Sequence, residues 1–76
     1  MDKKRIGRRI KAFRKLKGYT QIQFAQEMKL STSKLGNIER GTKQPSDQLL
    51  AEIAEKLSIS KEELVLENSV TRLEEN

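Results

Sequence analysis

The chain has 76 residues, of which 36% are charged and 34% hydrophobic, so its length allows one compact domain and no second hydrophobic core. Cysteine and histidine are both absent, which excludes a disulfide and argues against structural zinc or iron–sulfur sites, so we predict no cofactor and no metal. No apolar stretch approaches the about 20 residues of a transmembrane helix, and no apolar h-region follows the basic N-terminus, so we expect a cytoplasmic protein without a membrane association.

Apolar residues recur at helical spacing along the chain, and no run shows the alternation of a β-strand, so we predict an all-α fold. The first predicted helix runs from Lys3 to Lys17 and ends before Gly18. Its buried stripe is expected to comprise Ile6, Ile10, Phe13 and Leu16.

The second and third predicted helices are short. Thr20 and Gln23 form a capping box that starts the second helix, which we expect to end near Met28. Ser31 is a good N-cap for the third helix, and Gly41 is placed to end it. The residues of this region that we expect in or near the core are Tyr19, Phe24, Ala25, Met28, Leu30, Leu35 and Ile38.

Two more helices complete a predicted compact five-helix bundle. Ser46 caps the fourth helix, whose apolar face comprises Leu49, Leu50, Ile53, Ala54 and Leu57. Ser60 and Glu63 form a second capping box, which opens a fifth helix containing Leu64 and Val65. We assign residues 1–66 to the folded domain and residues 67–76 to an acidic C-terminal tail that is either frayed or an extension of the last helix.

Charge is divided unevenly between the two halves of the chain. Residues 1–44 contain 13 lysines and arginines and 3 acidic residues, whereas residues 45–76 contain 3 and 8. A strongly basic half indicates a polyanionic partner, although charge that serves only solubility is an alternative at this point.

The segment from Thr20 to Gly41 has the organisation of a helix-turn-helix, in which a tight turn joins two short helices. The small side chain of Ala25 lets the two helix axes approach where they cross. With Leu35 and Ile38 turned toward the core, the outward face of the third helix carries Thr32, Ser33, Gly36, Asn37 and Arg40. Short polar side chains on an exposed helix within a basic half suit entry into the major groove of DNA.

The run TQIQFAQEMKLSTSKLGNIERGTKQPS resembles the phage-repressor class of helix-turn-helix regulators, known as the Cro or xenobiotic-response-element type. The likeness spans about residues 6–65, and its most specific parts are Thr20 and Gln21, Phe24 and Ala25, Ile38 to Gly41, and Pro45 and Ser46. The resemblance implies the lambda-repressor-like fold of five helices, with the third helix reading double-stranded DNA. It also implies a transcriptional regulator, typically a repressor, that binds a near-palindromic operator as a homodimer.

The resemblance further implies roles for individual residues. It assigns base reading to Thr32, Ser33 and Asn37, and contacts with the DNA backbone to Gln21, Lys34, Arg40, Thr42 and Lys43. Arg14 and Glu39 match a partly buried ion pair between the first and third helices. The chemistry agrees, because Asn37 can offer adenine a donor and an acceptor together, and helix N-termini present free N–H groups to phosphates.

Three features depart from the pattern of this class. Lys29 stands at the turn where glycine is frequent, so either a lysine is strained there by about 1 kcal/mol or the turn differs. Thr32 and Ser33 stand where glutamine is frequent, so no operator preference can be transferred. Gly36 lies within the third helix, where it either lets the backbone approach DNA or is simply tolerated at a cost of up to about 1 kcal/mol.

Two functional hypotheses remain open at this stage. The first is the DNA-binding homodimer, for which the fifth helix and the apolar positions Leu66, Val70 and Leu73 are the expected dimer surface. The alternative is a protein-interaction module, such as an antitoxin or a regulator controlled by an anti-repressor, whose main partner is another protein. No carboxylate pair accompanies a histidine, a cysteine or another nucleophile in the sequence, so we predict no enzymatic activity.

Overall fold

The computed structural model describes residues 2–65, which form five helices and no β-strand, as the sequence predicts. The helices are α1 (Lys3–Leu16), α2 (Gln21–Met28), α3 (Thr32–Arg40), α4 (Asp47–Leu57) and α5 (Lys61–Val65). The predicted tail at 67–76 and the apolar positions Leu66, Val70 and Leu73 lie outside the described residues. No helix within residues 2–65 combines the length and the apolar composition that crossing a bilayer requires.

Side-chain caps start the first four helices, at Asp2, Thr20, Ser31 and Ser46. The first predicted capping box is complete, because Thr20 Oγ1 accepts from the Gln23 N–H and Gln23 Oε1 accepts from the Thr20 N–H, each at 3.0 Å. In the second box only Glu63 Oε2 reaches back, to the Ser60 N–H at 3.4 Å, while the Glu63 N–H bonds to the Ser60 carbonyl.

The N-cap of α1 is Asp2, a residue that was not among the predicted caps. Its Oδ1 accepts from the backbone N–H groups of Arg5 at 3.3 Å and Lys4 at 3.0 Å. The hydrogen bond from Arg5 is the main cause that lowers the pKa of the Asp2 carboxyl below its ordinary value. The basic helix α1 therefore begins at a carboxylate, which is favourable at the positive end of a helix dipole.

The core lies where α1, α2, α3, α4 and α5 meet. Its fully or almost fully buried apolar side chains are Ile6, Ile10, Phe24, Ala25, Leu35, Ile38, Leu50, Ile53, Ala54, Leu57 and Leu64. Phe13, Tyr19, Met28, Leu30 and Leu49 are partly buried around them, and the Tyr19 and Phe24 rings lie 5.2 Å apart at a tilt of 58°.

The prediction that Leu16 belongs to the buried stripe of α1 is wrong, because Leu16 is 76% exposed. Successive residues are about 100° apart around an α-helix, so Leu16 points about 200° away from Arg14. The structure buries Arg14 at the inward position of this last turn of α1, and the apolar stripe there ends with the half-buried Phe13.

Helices α1 and α3 approach each other closely at Gly7, a residue that sequence analysis did not single out. A Cβ atom at Gly7 would lie 2.3 Å from the carbonyl oxygen of Ile38 and 2.6 Å from that of Glu39. Backbone atoms of α3 occupy the space that any side chain would need. Gly7 therefore sets the separation of α1 and α3, and with it the depth at which α3 sits on the domain.

Lys29, in the turn between α2 and α3, adopts the left-handed conformation. The sequence allowed either this conformation or a different turn. Lys29 has φ 59° and ψ 40°, and the following N–H of Leu30 bonds back to the Ala25 carbonyl at 2.8 Å. Ser58 ends α4 in the same way, with φ 61° and a bond from the Ile59 N–H to the Ala54 carbonyl.

Replacing Lys29 with glycine is expected to raise the free energy of unfolding by about 0.5–1 kcal/mol. The relief of about 1–2 kcal/mol of left-handed strain exceeds the extra entropy that glycine gives the unfolded chain, about 0.4–1 kcal/mol. Urea unfolding followed by circular dichroism measures the change. Ser58→Gly is the matched control at the other left-handed cap, and a lower midpoint for both variants would contradict the strain argument.

Candidate nucleic-acid interface

Helix α3 is anchored on one side and open on the other. Leu35 and Ile38 have no exposed surface, whereas Thr32, Ser33 and Lys34 are all exposed in the first turn. Ser31 Oγ accepts from the Lys34 N–H at 3.0 Å and fixes the start of the helix. The first turn of α3 therefore projects from the domain with polar and basic side chains, on a helix held in place by the core.

An ion pair joins α1 to α3 behind this surface. Arg14 donates from Nε to Glu39 Oε2 at 2.7 Å and from Nη2 to Glu39 Oε1 at 3.2 Å. The Arg14 and Glu39 side chains are only 6% and 3% exposed, so this ion pair, which was expected to be partly buried, is almost fully buried. Arg14 also donates from Nη1 to the Tyr19 carbonyl at 2.9 Å, which fixes the segment that leads into α2.

Gln21, expected at the DNA backbone, is attached to the same network. Its Nε2 donates to Glu39 Oε1 at 3.1 Å, and the side chain is half-buried. The sequence has no local signal for this contact, because 18 positions separate the two residues and the crossing of α2 and α3 brings them together. The network thus connects α1, the first residue of α2 and the last turn of α3.

The end of α3 carries a second cluster of polar side chains, centred on Asn37. Arg40 donates from Nη2 to Asn37 Oδ1, and Thr42 Oγ1 donates to the Asn37 carbonyl at 3.1 Å and to Oδ1 at 3.3 Å. The sequence suggested that Asn37 offers adenine a donor and an acceptor together. In the structure the residue is half-buried, and its side-chain acceptor already receives a hydrogen bond from Arg40.

Gly36 is not open on the outward face, as the sequence suggested, but buried. A Cβ atom there would lie 3.1 Å from Arg40 Nη1 and 3.7 Å from Gln21 Nε2, with Arg40 Cζ at 3.8 Å. The side chains of Arg40 and Gln21 therefore cover Gly36. Two residues that the sequence placed at the DNA, Gln21 and Arg40, thus meet over this glycine, and hydrogen bonds link Arg40 to Asn37 and Asn37 to Thr42.

Gly41 turns the chain at the end of α3 and places the two following residues. It has φ 81°, and a Cβ atom would lie 2.6 Å from Lys4 Cγ, so both conformation and space favour glycine here. The N–H groups of Thr42 and Lys43 then bond to the Asn37 carbonyl at 3.0 and 3.3 Å. Both side chains are exposed beside the end of α3.

The charge of this surface is uniformly positive or neutral. Residues 29–46 contain a single acidic residue, Glu39, and its side chain is buried against Arg14. Lys34, Arg40 and Lys43 are exposed in the same segment. A surface of this kind attracts a polyanion without acidic side chains that would repel phosphate groups.

An anchored α3 with an exposed polar first turn, set across a tight turn from α2, defines a helix-turn-helix DNA-binding domain. Residues 10–64 match the helix-turn-helix family. The chain belongs to this family of DNA-binding transcriptional regulators, which are not enzymes.

Similar proteins come from bacteria and from a phage. The chain is 55% identical over 58 residues to the uncharacterized HTH-type transcriptional regulator YazB of Bacillus subtilis, covering 76% of this chain and 84% of that protein. It is 39% identical over 70 residues to the immunity repressor protein of Bacillus phage phi105, covering 92% of this chain and 49% of the repressor. Among solved structures, a chain from the SinR protein/SinI protein complex superimposes with a TM-score of 0.78 at 35% identity, covering 92% of this chain and 72% of that one.

Proposed function

We propose that this protein is a cytoplasmic repressor that binds a near-palindromic operator as a homodimer. The observation that carries the proposal is the orientation of α3, in which Leu35 and Ile38 are fully buried while Thr32 and Ser33 are exposed. A helix anchored in this way can enter the major groove with its first turn toward the base edges.

Each exposed residue then has a role that fits its chemistry. Thr32 and Ser33 contact base edges through their hydroxyl groups, and the Thr32 methyl can pack on a thymine methyl. Asn37 contributes its amide N–H groups to the same surface. Phosphate contacts come from Gln21 at the start of α2, Lys34 in the first turn of α3, and Thr42 and Lys43 after its end.

The small reading surface of one domain supports dimerisation. A single α3 of 9 residues contacts few base pairs, so a specific site needs two copies of it. Two recognition helices about 34 Å apart would enter successive major grooves on one side of the duplex. Repression is supported by the similarity to the immunity repressor of phage phi105.

Selection of bound DNA from a random pool tests the proposal directly. We expect an enriched motif with two inverted half-sites whose centres are about 10–10.5 base pairs apart. A single asymmetric motif would argue against a homodimer, and a pool without enrichment would exclude sequence-specific binding by the chain alone.

Two alanine substitutions separate base reading from backbone attraction. Lys43→Ala is expected to weaken binding to all sequences alike and to reduce the slope of log affinity against log salt by about 1. Thr32→Ala is expected to cost about 1–3 kcal/mol at one base pair of the operator and to leave that slope unchanged. Fluorescence anisotropy at several salt concentrations measures both, and identical behaviour of the two variants across operator mutants would contradict these roles.

A second candidate function is binding to a protein that controls the regulator, such as a toxin or an anti-repressor. It is favoured by the structural similarity to a chain of the SinR/SinI complex, in which two different proteins associate. Under this hypothesis the DNA contact is secondary, and the chain alone should show no salt-dependent shift of a selected operator. A shift by the purified chain supports the first function.

A further inference from the structure

We propose that Arg40, which lies over Gly36 and is held by Asn37, reads a guanine of the operator. The inference rests on the proposed function, because it assigns a base to a residue of the same recognition surface. The sequence assigned Arg40 to the DNA backbone, as a residue at the end of α3. Its position in the structure favours a different contact.

The guanidinium group of Arg40 is folded back along α3. Although Arg40 is the last residue of the helix, its Nη1 lies 3.1 Å from the Cβ position of Gly36, one turn nearer the N-terminus. Gly36 shares one helix face with Thr32, four residues earlier, and Thr32 belongs to the first turn that enters the groove. The cation is therefore directed along the groove-facing side of α3.

Asn37 holds the guanidinium in this place, and Thr42 in turn contacts Asn37. Asn37 Oδ1 accepts from Arg40 Nη2, and Thr42 Oγ1 donates to the same oxygen at 3.3 Å. Because that oxygen already accepts from the cation, it is less available to the N6 amino group of adenine. Asn37 and Thr42 act as positioning residues, and the surface that remains consists of N–H donors from Arg40 and from the Asn37 amide.

A surface of donors selects one base edge in the major groove. Guanine presents two acceptors there, N7 and O6, whereas adenine presents one acceptor and one donor. The planar guanidinium can pair with both guanine acceptors at once, which a phosphate contact would not require. Guanine is therefore the base that this cluster matches.

The cluster also accounts for the glycine in the middle of α3. The atoms that would meet a Cβ at Gly36 belong to the side-chain ends of Arg40 and Gln21. A Cβ atom at Gly36 would force Arg40 Nη1 to move by a few tenths of an ångström. It would also contact Gln21 Nε2, which Glu39 holds at 3.1 Å. Glycine at position 36 has a poor helix propensity, but it leaves room for the Arg40 side chain over α3.

The test measures base discrimination at each operator position for three variants. Arg40→Lys keeps the charge but removes the planar fork, and Gly36→Ala shifts the fork by a few tenths of an ångström without changing a charge. Arg8→Lys is the control, because it makes the same arginine-to-lysine change at an exposed residue of α1. The operator comes from selection with the wild-type chain. Affinities are then measured for all single-base variants of that operator, and thermal melting checks that each protein folds.

We expect the wild-type operator to contain a guanine in each half-site whose replacement weakens binding by roughly 5- to 150-fold, the range for one bidentate base contact. Arg40→Lys should remove most of that preference, and Gly36→Ala should reduce it. Both variants should leave the preferences at other positions and the salt dependence unchanged. Arg8→Lys should retain it, and Gly36→Ala should melt at a higher temperature than the wild type.

Two results overturn the inference while the proposed function stands. In the first, Arg40→Lys weakens binding to every operator variant by the same factor, which identifies a backbone contact. In the second, Arg40→Lys leaves the guanine preference intact, which removes Arg40 from base reading. A wild-type chain that selects no motif contradicts the proposed function itself and the inference with it, so the two failures are distinguishable.

Discussion

Replacing Arg14 with methionine is expected to lower the free energy of unfolding by about 3–5 kcal/mol, because it leaves a carboxylate buried without its cation. Glu39 is only 3% exposed on its side chain, and Gln21 Nε2 would be the remaining partner at 3.1 Å. A domain of this size has about 4–11 kcal/mol of stability at about 0.05–0.15 kcal/mol per residue, so the loss is a large part of the total. Urea unfolding followed by circular dichroism measures it.

Two controls identify burial as the cause. The double variant Arg14→Met with Glu39→Met should recover much of the loss, because replacing both members of a buried ion pair with apolar residues is often neutral or stabilising. Lys56→Met breaks the ion pair with Glu27, whose side chains are 36% and 51% exposed, and should cost less than about 1 kcal/mol. Equal losses from Arg14→Met and Lys56→Met would contradict the argument.

The starts of the helices could be predicted because their causes are local. Thr20, Ser31 and Ser46 each accept a hydrogen bond from the N–H three residues later, so a short stretch of sequence contains both partners. The buried positions Leu35 and Ile38 follow from helical spacing in the same way. These local signals also gave the orientation of α3, which is the basis of the proposed function.

The parts of the site that depend on distant contacts could not be predicted. Helical spacing predicts an apolar stripe but does not show which turns of the stripe another helix will cover. The prediction that Leu16 is buried is wrong for this reason. The contact of Gln21 with Glu39 and the position of Arg40 over Gly36 depend on how α2 crosses α3 and on side-chain conformations. The sequence gives residue types at these places, whereas only the packed helices decide which atoms meet.

Gly7 had a sequence signal that could have been used. An isolated glycine inside a helical pattern usually has a packing reason, and Gly7 lies seven residues before Arg14, on the same face of α1. Since that face meets α3, a close approach of the two helices is the reason that the structure supplies.

Gly7→Ala is expected to lower the free energy of unfolding by about 2–3 kcal/mol, within the range for overpacking, despite a gain in helix propensity of up to about 1 kcal/mol. The new methyl group would lie 2.3 Å from the Ile38 carbonyl oxygen, and backbone atoms can yield only if α1 and α3 separate. Thermal and urea unfolding measure the change. Because α3 would move with its backbone, operator affinity should also fall in the fraction that remains folded.

Gly36→Ala is the matched control, because it makes the same change in the middle of another helix. The nearest atom to the new methyl group is the end of the flexible Arg40 side chain at 3.1 Å, which can move away. This variant should therefore gain about 0.5–1 kcal/mol from helix propensity. We therefore expect the same substitution to change stability in opposite directions at Gly7 and at Gly36. If both variants are stabilised, helix propensity determines the effect at Gly7, and the distance between α1 and α3 does not.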